Sequence, residues 1–106
     1  MSELLDNQFK LFSMLCRLGI YAESLGYNAK FGAALVHDDD TVHSPNSLHR
    51  SSLAVDVLLF KGDDYLTNTA DYFPLGTYWK KMGGSWGGDF VRPDGNHFSI
   101  SMWGRK

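Results

Sequence analysis

Leu53-Ala54-Val55-Asp56-Val57-Leu58-Leu59-Phe60 is a run of aliphatic and aromatic residues broken by a single acid, and Lys61-Gly62-Asp63-Asp64 ends it with turn formers. An apolar run of this length, rich in Val and Leu and closed by turn residues, reads as a largely buried β-strand. Asp56 then sits in a strand core. An ionised carboxylate in such surroundings costs several kcal/mol unless a cation or strong donors meet it, so something positive must face Asp56.

The elements on either side assign the fold class. Upstream, Phe9, Phe12, Leu15, Leu18 (or Cys16), Ala22 and Leu25 recur at spacings of three and four between about Asp6 and Leu25, with Lys10, Arg17, Glu23 and Ser24 on the other side. That pattern predicts a long amphipathic helix, and Gly26 stands where a left-handed cap would end it. Tyr27 to Val36 is aromatic and aliphatic enough for a strand. His37 to Asn46, with three consecutive Asp, two His and a Ser-Pro, shows neither period and reads as a loop. Downstream, Thr69 to Met82 predicts a short helical region, with Thr69 as its N-cap, Pro74 near the start of its second segment and Gly83-Gly84 at its end. Ser85 to Asn96 reads as a glycine-rich loop. Phe98, Ile100 and Met102 alternate with Ser99, Ser101 and Trp103, as in a final strand with one face in the core. The expectation is an α+β fold, a small antiparallel sheet with two or three flanking helices, in a single domain over residues 1–106.

Composition narrows the function. Of 106 residues, 43% are hydrophobic and 14% aromatic, enough for one modest core and too many for a disordered chain. Ten Lys plus Arg against 12 Asp plus Glu leave no basic footprint for a phosphate backbone, so nucleic-acid binding is not expected. No apolar run approaches the roughly 20 residues that span a bilayer, so no membrane insertion is expected. Met1-Ser2-Glu3 lacks the basic start of a signal peptide, which leads to the expectation of synthesis in the cytosol. The one cysteine, Cys16, cannot form an internal disulfide, which makes a bound ion worth seeking as a source of rigidity.

His49 precedes Asp56 by seven residues and His97 begins the final strand, so pairing of the two strands could bring both imidazoles to the carboxylate. Two His and one Asp with a fourth position open to water is the ligand count of a catalytic zinc site. Asp94, three residues before His97, could then act on that water as a general base. Taken singly, each residue also has a plain structural role: a hydrogen-bonded loop His, an Asp paired with Arg50 or bound to backbone amides, and a turn at Asp94-Gly95. Spacing alone does not choose between them.

Ser47-Leu48-His49-Arg50-Ser51-Ser52-Leu53-Ala54-Val55-Asp56 resembles the Ser-x-His-x-x-Gly-x-Ala-x-Asp signature of the M15 zinc peptidases, the D-alanyl-D-alanine carboxypeptidases and phage L-alanyl-D-glutamate endolysins. Asp94-Gly95-Asn96-His97-Phe98 resembles their second motif, and Trp86-Gly87-Gly88-Asp89-Phe90 the Trp-Gly-Gly segment of the phage branch. The resemblance implies that His49, Asp56 and His97 bind zinc (Zn2+), that Asp94 activates water and protonates the leaving amine, and that Ser47, Trp86 and Asp89 support or face the substrate. It implies a Hedgehog-type or DD-peptidase-like zinc fold, acting as a monomer on bacterial cell-wall peptides and reaching the wall as a phage endolysin does. Two positions depart from the pattern. Ser52 replaces the family glycine, and Val36 or His37 stands where the family carries an oxyanion-stabilising arginine. Losing one such donor typically costs about 100- to 1000-fold in rate. Arg92 is the first candidate to replace it, then Arg50 and His37. The competing function is a catalytically impaired, zinc-stabilised binding protein built on the same fold.

Overall fold

The computed structural model describes residues 2–32 and 53–106. The predicted loop His37–Asn46, and Val36, Ser47, His49, Arg50 and Ser52, lie outside the described residues.

Helix α1 spans Glu3–Ser24. The Ser2 hydroxyl accepts from the Leu5 amide at 3.1 Å, satisfying one of the donors that a helix start leaves open. At the other end Gly26 adopts φ +87°. Tyr27 N–H donates to the Ala22 carbonyl and Gly26 N–H to that of Glu23, the paired closure that a left-handed residue permits. The helix and its stop agree with the sequence, and its inward face agrees at Leu15, Leu18 and Ala22 but not at Phe9, Phe12 and Leu25. The buried stripe is Leu11, Met14, Leu18 and Ala22, whereas Phe9, Phe12 and Leu25 are exposed, as is Cys16. Two apolar stripes of the same period run along α1: the buried one, and Leu5, Phe9, Phe12, Cys16, Ile20. Periodicity identifies the helix without telling which stripe meets the sheet.

Strand β1, Asn28–Phe31, is shorter than predicted among the described residues and exposed along its length. Strand β2, Ala54–Lys61, is the expected buried strand. A two-residue turn at Gly62-Asp63, with Gly62 at φ +62°, returns it into β3, Asp64–Tyr65. Thr69–Tyr72 forms a 3₁₀ turn rather than an α-helical start, and the residue before it is Asn68, so Thr69 is not the N-cap. Helix α2 runs Phe73–Lys81 with Pro74 in its first turn, where a missing N–H costs nothing. Gly83, at φ +95°, closes α2 by the same paired arrangement as Gly26. The predicted glycine-rich loop contains a short strand, β4, Ser85–Trp86, and a 3₁₀ turn, Gly87–Asp89. The final strand, β5, covers only His97–Ser99.

The sheet order is β1-β2-β5-β4, all antiparallel, with β3 also on β2. One face of β2 supplies Val55, Val57 and Leu59 to a core shared with the α1 stripe, Tyr72, Leu75, Trp79, Trp86, Phe98 and Ile100. The expected alternation holds in burial at Phe98, Ile100 and Met102, which are covered, and at Ser101 and Trp103, which are exposed, although the strand itself stops at Ser99. Ser99 is the exception: it is fully buried, its hydroxyl donates to the Ser85 carbonyl at 3.5 Å and its carbonyl accepts from Trp79 Nε1 at 2.9 Å. This α+β arrangement leaves Asp56 on the sheet face opposite the helices. No helix among the described residues is long and apolar enough to cross a membrane.

Candidate active site

The register of the central strands builds the site. Asp56 on β2 is directly opposite His97 on β5, and the amide of Val57 donates to the Asn96 carbonyl at 2.9 Å. Residues paired across antiparallel strands have Cβ atoms about 4.5–5.5 Å apart, so two residues 41 positions apart in sequence share one spot on the sheet. His97 is only 6% exposed. Asp56 is half-buried, and its Oδ1 and the Nε2 of His97 are shielded from solvent.

Asp94 reaches the same spot from a turn. Its amide donates to the Gly87 carbonyl at 2.8 Å, and its own carbonyl accepts from the His97 amide at 3.1 Å. One ligating atom each from Asp56, Asp94 and His97 lie within 4.8 Å of one another, with Asp94 the exposed member. An imidazole nitrogen and carboxylate oxygens, two of the three groups withdrawn from water, are the donor types that Zn2+ takes, and such a cation would provide the counter-charge that a carboxylate in a strand core requires. The residues therefore fit a zinc ion, with His49 lying outside the described residues.

The structure also places Trp86, Asp89 and Arg92. Trp86 is 4% exposed and donates through Nε1 to the Gly95 carbonyl at 2.9 Å, so it supports the turn carrying Asp94. Asp89 pairs with Lys80 at 2.9 Å, and the Lys80 ammonium lies over the Trp86 ring at 5.6 Å from its centroid. Arg92 is exposed on the segment leading into Asp94. Phe90, which the sequence reading passed over, packs on the His97 imidazole with ring centroids 5.0 Å apart. Its place four residues after Trp86 gave no hint of this, because the contact depends on the 3₁₀ turn between them.

A carboxylate beside a buried carboxylate-imidazole pair is an arrangement for metal-assisted hydrolysis. The sequence profile of the family described as D-alanyl-D-alanine carboxypeptidase matches residues 41–100, more than half of the chain and the whole stretch from the His49 segment to β5. The chain therefore belongs to this family of M15 peptidases. Among solved structures it is similar to the crystal structure of Serratia marcescens L-Ala D-Glu endopeptidase ChiX, with a TM-score of 0.64 and 17% sequence identity over 94% of this chain and 87% of that one. At that identity the likeness establishes the fold. No curated protein matches the sequence significantly.

Proposed function

We propose that the chain is a zinc peptidase that hydrolyses stem peptides of bacterial peptidoglycan, of the phage endolysin type. The observation that carries this reading is the convergence of Asp56, Asp94 and His97, from two distant sequence motifs, within 4.8 Å on one sheet face. The family match and a structural neighbour whose title names an L-Ala D-Glu endopeptidase support the same substrate class.

In this mechanism His49, Asp56 and His97 hold the metal. Bound there, Zn2+ would supply Lewis acidity, lowering the pKa of a water and polarising the scissile carbonyl. Asp94 accepts the water's proton as it attacks and returns it to the leaving amine; its exposure lets it meet substrate, while the backbone bonds to Gly87 and His97 fix its place. Arg92, two residues before Asp94, supplies the oxyanion donor that Val36 cannot. Ser47 lies in the metal-binding segment as a supporting residue, and Asp89, paired with Lys80, is the remaining substrate-facing candidate.

Purified protein incubated with peptidoglycan should release peptides that mass spectrometry assigns to one cleaved bond, L-Ala-D-Glu or D-Ala-D-Ala. Asp94→Asn should retain zinc by elemental analysis while losing about 100- to 10,000-fold in hydrolysis, the usual weight of a general acid-base group. His97→Ala should lose the zinc. Full zinc occupancy in His97→Ala would remove the ligand assignment. Zinc-loaded wild-type protein that releases no peptide, and gains activity on Val36→Arg, would replace the peptidase with the impaired binding protein.

A further inference from the structure

The Trp86 indole is held in a slot that only glycines permit. A Cβ at Gly76 of α2 would stand 2.1 Å from the ring, and one at Gly88 would stand 2.3 Å from its far edge. Real Cβ atoms do not approach so closely, so both positions are reserved for the indole. The edge of Phe73 meets the same ring at a centroid distance of 6.1 Å. Fixed on these sides, the indole has one polar atom, Nε1, and it is spent on the carbonyl of Gly95, the residue after Asp94.

The next residue grips the same turn from its backbone. Gly87 offers its carbonyl to the amides of Asp94 at 2.8 Å and Phe90 at 3.1 Å. A Cβ on Gly87 would lie 2.1 Å from the Asp94 carbonyl oxygen and 2.6 Å from His97 Cβ. The turn is therefore pressed against Gly87 and pinned by Trp86, and the Asp94 carboxylate is exposed while its backbone is immobilised.

We propose that Trp86 is a positioning residue: anchored by Gly76 and Gly88, it acts with the Gly87 backbone to set where Asp94 stands relative to His97 and Asp56. The catalytic consequence rests on the reading of Asp94 as the proton-transfer group. Trp86 touches no reacting atom in this scheme. Its effect passes through the Gly95 carbonyl, and a displacement of about 1 Å in a catalytic group can cost about 100-fold in rate.

Trp86→Phe keeps an aromatic ring in the slot and removes the N–H. Gly87→Ala keeps the indole and drives the turn away. Amide hydrogen exchange, followed residue by residue by NMR on the zinc-loaded proteins, should quicken at Asp94 and His97 by about five- to tenfold in Trp86→Phe, the weight of one lost hydrogen bond, and leave Leu59 in β2 unchanged. Gly87→Ala should do the same or more. On a wall peptide that the wild type cleaves, kcat should fall about 10- to 100-fold in both variants with KM within about threefold, and zinc affinity in a chelator competition should hold within the same margin. Unchanged exchange at Asp94 and His97 in both variants overturns the proposal. So does wild-type kcat alongside faster exchange, or a loss of kcat matched by loss of zinc, which would make the role merely structural. If the wild type cleaves no wall peptide, the functional reading fails while the exchange data still decide whether Trp86 sets the turn.

Discussion

Trp86 and Phe12 are both large aromatics in glycine-containing or amphipathic stretches, yet one is 4% exposed and the other 72%. The difference is what surrounds them. Trp86 lies where β4, α2 and the Asp94 turn meet; Gly76 and Gly88 lack the side chains that would compete with the indole for that volume, and Gly87 lacks one that would collide with Asp94 and His97. Phe12 lies on the outer stripe of α1, where no described element packs, alongside Phe9 and Ile20, which are 54% and 69% exposed. Among the described residues, close packing is found around the corner that carries the site, and the far side of α1 is uncovered. Rigidity is needed where a carboxylate must be held relative to a metal ligand.

That contrast can be broken by mutation, and the largest effect is expected at the corner. Trp79 is fully buried, donates to the Ser99 carbonyl and meets Phe98 edge-on with centroids 5.5 Å apart. Trp79→Ala should cost about 3–5 kcal/mol in urea denaturation, a large part of the stability of a small domain. A loss below about 1 kcal/mol would show that the corner is looser than its packing indicates.

The two faces of α1 provide the next test. Leu18→Ala, at 1% exposure on the inner stripe, should cost about 2–5 kcal/mol. Phe12→Ser on the outer stripe should stay within about 0.5 kcal/mol. Comparable losses at the two positions would mean that the outer stripe is covered in solution.

A smaller effect is expected at Tyr72, whose hydroxyl joins two elements. It accepts from the Leu59 amide at 3.0 Å and donates to the Leu66 carbonyl at 2.8 Å. Tyr72→Phe leaves a buried amide without its acceptor and should cost about 1–3 kcal/mol. Burial, foremost, pushes the phenol above its ordinary value of 10.0, against the favourable Leu59 bond. Because the folded-state value is raised, this contribution is complete below pH 10.0 and is lost as the pH rises toward and through the folded value. Thermal melts of the wild type should therefore fall on the alkaline side, and Tyr72→Phe should flatten that decline. A wild type with a level alkaline limb would place Tyr72 in water.

The strand carrying Asp56 and the helix stops at Gly26 and Gly83 were legible in the sequence because each rests on local chemistry, and the meeting of Asp56 with His97 was anticipated from the need of a buried acid for a partner. An acid among aliphatic residues demands a partner, and a glycine after a helical period supplies a left-handed cap. Asp94 was singled out by its place three residues before His97 and reinforced by the motif resemblance, and the structure brings it beside both. His49, the remaining ligand implied by that resemblance, falls outside the described residues. The inward face of α1 was legible only in its second half, at Leu15, Leu18 and Ala22. Its two apolar stripes have the same period, and which one is buried in the first half depends on where the sheet lies. Nor was the burial of Ser99 legible; its hydroxyl donates to the Ser85 carbonyl on the neighbouring strand. The glycine segment after Met82 looked like a loop because glycine signals freedom when read alone; here Gly87 and Gly88 signal the opposite, close approach of neighbours distant in sequence. The sequence by itself determined the main helices and the central strand, which follow from period, and the candidate site residues, which follow from a buried acid and from the motif resemblance. Only the tertiary structure decided which apolar face is core and what holds the Asp94 turn in place, since both depend on contacts between residues far apart along the chain.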